Sequence, residues 1–589
     1  MTTFRRFKDA GTLFYNSEGS DGLSSSASKS RFLPRQSALG LSDCELAAYI
    51  TSIRSLLQHH ILHGLKRFRV SIVIGMITTI MLVLTVPVVV ALWITQTRLR
   101  RAKLPYPPGP PAEPLLGHLR ALPRTYDRGV YRRLADTYGG IVYLHVLGKP
   151  TVIINSEKIA IDLLEKRGVI YSDRPSFPLY DMIGWGDTLT FLPYGHNFLK
   201  TRKLIQDQLT RKKCIIFEDI QLAQRRILLQ NLLTSPEQFS FHAKRFVVAV
   251  VLEITYGRKI TSDDDQFLKD AEAFDKIVAQ EPGSLSLRKA SVLLTLSIVE
   301  STTTTESQRT VQEAKEYGIS VVQDDLASGN ARPSFCSLGL EELSREQQNS
   351  EEEIGRIKVS AFQLYAAGAE TTWSAILTFF FAMVLHPDIQ RKSQRELDEV
   401  LGHGTFPNYE DRDSLPYLTC VIYEVLRLDA PIVLRHHGMN GIFTGGIQSS
   451  HWVNLQILRL YLGMFTRLSS ASGVPHRVME DDVYEGMFIP KGSTIISNIR
   501  HMLTNEDVYH DPFTFCPERF LPKPDGYGEP LPDAVFGFGR RICPGRWLAL
   551  SGLWVSVASV LAMFDIKPIQ DDQGVDVLPK LEFHDSLTR

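Results

Sequence analysis

Phe536-Gly537-Phe538-Gly539-Arg540-Arg541-Ile542-Cys543-Pro544-Gly545-Arg546 sets three glycines and one proline around a single cysteine. An apolar run with helical character, Gly545–Phe564, follows at once. Glycine admits backbone conformations and close approaches that a side chain forbids, so a loop of this composition can wrap tightly around a sulfur. Main-chain N–H groups of the turn, together with the start of the next helix, favour a thiolate over a thiol. Taken alone, the loop has two readings. It is either a buried structural cysteine beside a tight turn or a sulfur presented as a ligand.

Working outward, Pro517-Glu518-Arg519-Phe520 lies just upstream, and Glu424-Val425-Leu426-Arg427 precedes it. Glu424 and Arg427 sit one turn apart on one helix face, a spacing that by itself also describes a solvated surface pair. Further back, Ile354–Leu385 has a long apolar helical period stopped by His386-Pro387. Ala367-Gly368-Ala369-Glu370-Thr371-Thr372 interrupts that helix with an acid and two hydroxyls, which compete for backbone hydrogen bonds. Such a cost is reasonable at a functional groove; the alternative is a solvent-facing turn. Tyr194-Gly195-His196-Asn197-Phe198-Leu199-Lys200-Thr201-Arg202-Lys203 adds a basic block. Other expected elements are a strand pair, Ile141–Val146 with Thr151–Asn155, and helices at Ile159–Lys166, Asp388–Leu401 and Leu418–Leu428.

Together these blocks resemble the cytochrome P-450 superfamily, whose FxxGxRxCxG loop is matched at Phe536, Gly539, Arg541, Cys543 and Gly545. The resemblance implies a mainly α fold with small β-sheets (α+β). It implies haem b, with Cys543 as the thiolate ligand of the iron and Phe536, Gly539 and Gly545 shaping the loop around it. Arg202, Arg477 and Arg541 would hold the propionates, although Phe198 stands where the family commonly has a tryptophan donor. Glu424, Arg427 and Arg519 would form a structural lock, while Thr371 and Glu370 manage protons. The implied reaction is oxidation of an apolar small molecule with O2, the Cys543 thiolate favouring O–O cleavage. Electrons would come from NADPH through a separate membrane-bound flavoprotein, an NADPH–cytochrome reductase. The pocket is expected along Arg174–Leu192 and at Phe362, Ala366, Ala367 and Thr371. The motif run is most similar to fungal microsomal members that oxidise terpenoids and polyketides in secondary metabolism. Competing readings are a haem-thiolate isomerase or dehydratase that needs no reductase, and a haem-binding protein without catalysis.

The 589 residues are 44% hydrophobic, enough for a large core, and the formal net charge of zero gives no hint of a nucleic-acid partner. Six scattered cysteines without a CxxC pair argue against a disulfide scaffold or structural zinc. Residues 1–69 are polar and Ser-rich and are expected to be largely disordered. Residues 70–96 contain an uncharged run, Val70–Thr95, long enough for one transmembrane helix; a buried core helix is the alternative. Basic residues flank it almost evenly, which only weakly places the catalytic domain on the cytoplasmic side, as expected for an endoplasmic-reticulum protein. A basic, Pro-rich hinge spans 97–111, and the catalytic domain 112–589.

One segment departs from the family pattern. Arg427 and His476 lie 49 positions apart, where the family has far fewer. Residues 433–472 carry Gly438, Gly441, Gly445 and Gly446, then the apolar run Leu455–Phe465, without a consistent helical period. A structureless excursion of this length within a compact domain is improbable. The expectation is that it stands outside the working enzyme, as retained non-coding sequence. His436-His437 within it has no third ligand nearby and reads as an unliganded pair.

Overall fold

A computed structural model describes residues 104–262 except 115, 121–128 and 147, residues 302–428 except 347–349, and residues 473–577 except 571 and 572. Asp265 and scattered positions between 47 and 89 are also described. Residues 433–472 therefore lie outside the described residues, as does most of 70–96. Within 70–96, Met81, Leu84, Thr85, Val88 and Val89 are helical and exposed, and the Thr85 hydroxyl donates to the Met81 carbonyl at 2.7 Å. Ala47, Ala48, Thr51 and Ser52 are helical too, which the polar composition of that stretch did not suggest. Met1–Arg101 and Ala102–Arg589 form separate units.

Ten helices and six strands of the second unit position the site. The helices are α1 Gly129–Tyr138, α2 His196–Gln208, α3 Glu218–Thr234, α4 Phe239–Tyr256 and α5 Thr302–Ala327. They continue with α6 Phe335–Arg345, α7 Glu351–Leu385, α8 Pro387–Leu401, α9 Pro416–Leu428 and α10 Arg546–Met563. The strands are β1 Ile141–Val146, β2 Lys149–Ile154, β3 His476–Arg477, β4 Asp482–Tyr484, β5 Met487–Ile489 and β6 Thr494–Ser497. This is a mainly α architecture with small sheets.

Helix α7 runs for 35 residues, about 50 Å at 1.5 Å per residue. Ser350 caps its start by accepting from the Glu353 N–H, and Glu351–Glu353 oppose the positive end of the helix dipole. Its end is set by Pro387, which cannot continue α7 but suits the first turn of α8. The middle of α7 packs on α4, where Phe246–Tyr256 is buried throughout, and on α10, buried from Leu550 to Leu561. Among the described residues only α7 and α10 are long and apolar enough to cross a membrane. Half of the most apolar window of α7 and two thirds of that of α10 are inside the protein, so both are core helices.

Strands β1 and β2 pair antiparallel, β2 runs parallel to β6 with Thr151 opposite Thr494, and β3 closes the edge antiparallel to β6. Leu104–Pro111 is extended and fastened to this sheet and to the separate antiparallel β4–β5 pair. The Tyr143 N–H donates to the Pro108 carbonyl at 2.8 Å and the Phe488 N–H to the Pro105 carbonyl at 2.7 Å. Tyr106 stacks on Tyr143. Gly109 permits this contact, because a Cβ there would stand 2.2 Å from the Tyr143 carbonyl oxygen.

Candidate active site

The decisive loop is held from three sides. The Cys543 N–H donates to the Phe536 carbonyl at 2.8 Å and the Gly537 N–H to the Ala534 carbonyl at 3.0 Å. Gly539 has a φ of +55°, and a Cβ there would lie 2.1 Å from the Leu164 carbonyl oxygen, so only glycine lets the loop rest on Ile161–Lys166. The loop then enters α10 at Arg546. Cys543, Pro544 and Gly545 line a cavity whose other walls come from α2, α4, α7 and the chain around β3. Burial pushes the Cys543 thiol up. The Gly545 N–H, the Arg202 and Arg546 guanidiniums and the Arg546 N–H oppose that effect. Burial carries Cys214 to about 11 and Cys420 to about 12, with no donor or cation at Cys214 to oppose it. Neither lines the cavity.

Four arginines gather at one end of this cavity. Arg202 donates from Nη1 to the Ile542 carbonyl at 2.6 Å. Arg541 donates to the carbonyls of Ser172, Leu189 and Leu192 at 2.7–2.9 Å. Arg174 donates to those of Thr190, Val474 and Pro475 at 2.7–2.8 Å. Burial lowers all three, Arg541 to about 9. These three line the cavity, and no carboxylate does among the described residues. The fourth, Arg477, lies outside that lining. Its Nε donates to Asp173 Oδ2 at 2.7 Å, and the other oxygen of Asp173 accepts from the Tyr194 N–H at 2.8 Å. Asp173 is bound by the half-exposed Arg477 and acts also on Arg174 and Arg541. Buried charge demands a partner, so the cavity end is built for a group carrying negative charge. A sulfur ligand, an apolar wall and surplus buried guanidinium together fit a haem with its propionates.

Arg174 and Phe198 play parts the motifs did not assign. Arg174 opens the Arg174–Leu192 stretch expected along the pocket, and its place beside Asp173 in the chain was the available signal. Phe198 lacks the donor of a tryptophan, but the Arg541 guanidinium carbon lies 3.7 Å from its ring centroid, a cation–π contact that fixes this arginine.

On α9, Glu424 accepts from Arg427 Nε and Nη2 at 2.7 and 2.8 Å and from Arg519 Nε at 3.0 Å. It also accepts from the Cys516 N–H at 3.0 Å. Arg519 reaches Glu529 at 2.8 Å and three main-chain carbonyls, and Arg427 reaches the Leu503 carbonyl. Glu424, Arg427 and Arg519 are at most 1% exposed. Glu529, unforeseen in the sequence, supplies the second carboxylate.

On α7, Gln363, Leu364, Ala367, Gly368, Thr371 and Thr372 line the cavity, a stripe at the helical spacing of three and four. The Thr371 hydroxyl donates to the Ala367 carbonyl at 2.9 Å. Phe362 and Ala366, expected in this wall, instead join Val311 and Trp185 in a separate cluster. The stripe is rotated away from them by the fit of α7 against α4. Glu370 also faces away from the cavity. Its carboxylate lies 3.7 Å from Lys244 Nζ on α4, and Lys244 stands over the Trp373 ring.

The family model described as cytochrome P-450 matches residues 107–440 and 457–587, leaving a gap inside the unusual segment. Among curated proteins, the chain is 33% identical to cytochrome P-450 monooxygenase 136 of Postia placenta, covering 82% of this chain and 86% of that protein. It is also 33% identical to cytochrome P-450 monooxygenase COX2 of Coprinopsis cinerea, over 82% and 87%. Cytochrome P-450 monooxygenase ple1 of Rhodocybe pseudopiperita is 31% identical over 84% and 89%.

Proposed function

This chain belongs to the cytochrome P-450 family, and from that premise we propose that Cys543 is the iron ligand of a haem-dependent monooxygenase acting on an apolar small molecule. The observation that carries this reading is the Cys543 sulfur set in the wall of an apolar cavity, with Arg174, Arg202 and Arg541 at one end. A haem bound there supplies activation of O2, one oxygen atom entering a substrate C–H bond and the other leaving as water.

The chain's own residues have separate tasks in this proposal. Cys543 contributes the sulfur, whose thiol burial pushes up while the Gly545 and Arg546 N–H groups and the neighbouring guanidiniums favour the thiolate. Arg202 and Arg541 bind propionates, joined by Arg174. Arg477 neutralises Asp173 and so leaves those three cations unspent; this moves it from a direct contact to a supporting one. Phe536, Gly539 and Gly545 keep the loop shape, and the lock of Glu424, Arg427 and Arg519 fixes its base. Thr371 holds a proton at its hydroxyl inside the cavity. Glu370, beside Lys244 and next to Thr371 in the chain, links that hydroxyl to proton supply from outside the cavity. The test of the whole reading is the carbon monoxide difference spectrum of the reduced protein, which should carry the thiolate-type Soret band.

In Thr371→Ala, haem content and reduction are expected to stay native. Hydrogen peroxide per NADPH consumed should rise several-fold while product falls. Unchanged product per NADPH would remove Thr371 from the proton path. An isomerase or dehydratase would turn over without NADPH and reductase, and Thr371 in the cavity wall gives such an enzyme nothing it needs.

The electron source in this proposal is NADPH through a membrane-bound flavoprotein reductase. Residues 70–96 anchor the chain in the endoplasmic reticulum with the catalytic domain in the cytoplasm. The relatives are fungal, which agrees with a terpenoid or polyketide substrate of secondary metabolism. Two truncations test the domain reading. Removing residues 1–96 should release most of the protein from membranes, whereas undiminished membrane partition would exclude Val70–Thr95 as the anchor. Joining Ile432 to Gly473 should preserve haem content and turnover, because β3 begins only at His476. Loss of both, with the full chain active, would make 433–472 a working element.

A further inference from the structure

The wall that α4 and α7 present to the cavity is aliphatic and aromatic at Phe246, Val247, Val250, Val251 and Leu364. Gln363 interrupts it. This side chain is only 9% exposed. Its Nε2 is tied to the Thr190 hydroxyl at 2.6 Å, and its Oε1 is buried without a hydrogen-bond partner among the described residues. Gln363 and Thr190 both line the cavity. Thr190 is itself steadied, because its carbonyl accepts from Arg174 Nε at 2.8 Å. A buried amide end left unpaired costs free energy, so a half-satisfied glutamine in an apolar wall is unfavourable unless a ligand completes it.

We infer that Gln363, anchored by Thr190, is a specificity-determining residue that hydrogen-bonds a hydroxyl group on an otherwise apolar substrate. A hydroxyl suits the site in either orientation of the amide, since it donates to an amide oxygen and accepts from an amide nitrogen. Thr190 tolerates the same exchange, because its hydroxyl also does both. Gln363 and Thr371 lie eight residues apart on one face of α7, about 12 Å along the axis. The hydroxyl is therefore held about 12 Å along the helix from the Thr371 end, where the proposed reaction occurs. This rests on the monooxygenase reading above and adds a chemical class: an elongated, otherwise apolar molecule that already carries a hydroxyl. A prior hydroxylation, or hydrolysis of an ester or diphosphate, must then supply the substrate.

The test uses the full-length haem-loaded protein and the shift of its Soret band on ligand binding. The probes are matched pairs: dodecanol with dodecane, farnesol with farnesene, and geranylgeraniol with its hydrocarbon counterpart. The native protein should bind at least one alcohol about tenfold more tightly than its partner, because a site built for a hydroxyl is left unpaired by the deoxy analogue. Gln363→Leu should erase that preference without weakening the hydrocarbon. Thr190→Val, which keeps the amide but frees it, should retain part of it. Equal binding within every pair, an unaltered preference in Gln363→Leu, or no alcohol bound at all overturns the inference. The carbon monoxide difference spectrum of each variant reads the haem assignment separately. A normal thiolate band with no alcohol preference defeats this inference alone, and a missing band in the native protein defeats the underlying reading.

Discussion

Cys543→Ala is expected to abolish the thiolate-type carbon monoxide spectrum and all NADPH-dependent turnover, a loss of activity to background. Cys214→Ala, Cys336→Ala and Cys516→Ala should leave the spectrum native. The physical basis is local. Metal ligation needs a thiolate, and burial in protein raises the thiols of Cys214, Cys336 and Cys420. At Cys543 the same burial is countered by two main-chain N–H groups and two guanidiniums. Cys214, Cys336, Cys420 and Cys516 lie outside the cavity lining that holds Cys543. A native spectrum from Cys543→Ala would overturn the assignment of the ligand and, with it, the reading of the cavity.

The second large effect is expected at the lock. Glu424→Ala removes the carboxylate shared by Arg427 and Arg519, leaving the buried Arg427 without its counter-ion and the buried Arg519 with Glu529 alone. Stripping one partner from a buried ion pair costs about 3–5 kcal/mol, and here one substitution strips two pairs. The variant should unfold at much lower denaturant concentration and lose haem on isolation. The control is Lys392→Ala, whose partner Glu518 sits in a more open pair, 43% and 30% exposed; such pairs contribute about 0–1 kcal/mol. Urea unfolding followed by far-ultraviolet circular dichroism compares the two. If Glu424→Ala shifts the midpoint no more than Lys392→Ala, the network is not what holds the loop's base. Glu529, which shares Arg519 at 2.8 Å, would then carry that load.

Short contiguous patterns made much of this protein legible from sequence. The Phe536–Arg546 loop, the Glu424–Arg427 turn and Pro517–Phe520 each have fixed spacing, so their local geometry travels with the residues. The end of α7 was readable for the same reason, at His386-Pro387. Its start was not, because the apolar period begins at Ile354 while the helix begins at the acidic Glu351–Glu353, which carry no such period.

What the sequence did not determine is rotation and long-range pairing. Successive residues on a helix point about 100° apart, and only packing of α7 against α4 decides which stripe meets the cavity. That packing turns Thr371 inward and Glu370 towards Lys244, and it gives the wall to Gln363 rather than Phe362. The arginines were readable as candidates, but their division of labour was not. Arg477 meets Asp173 across 304 residues and Arg202 meets Ile542 across 340. Charges at such separations acquire partners only when the sheet edge, the loop and α2 are folded together, since burial alone makes each pairing compulsory.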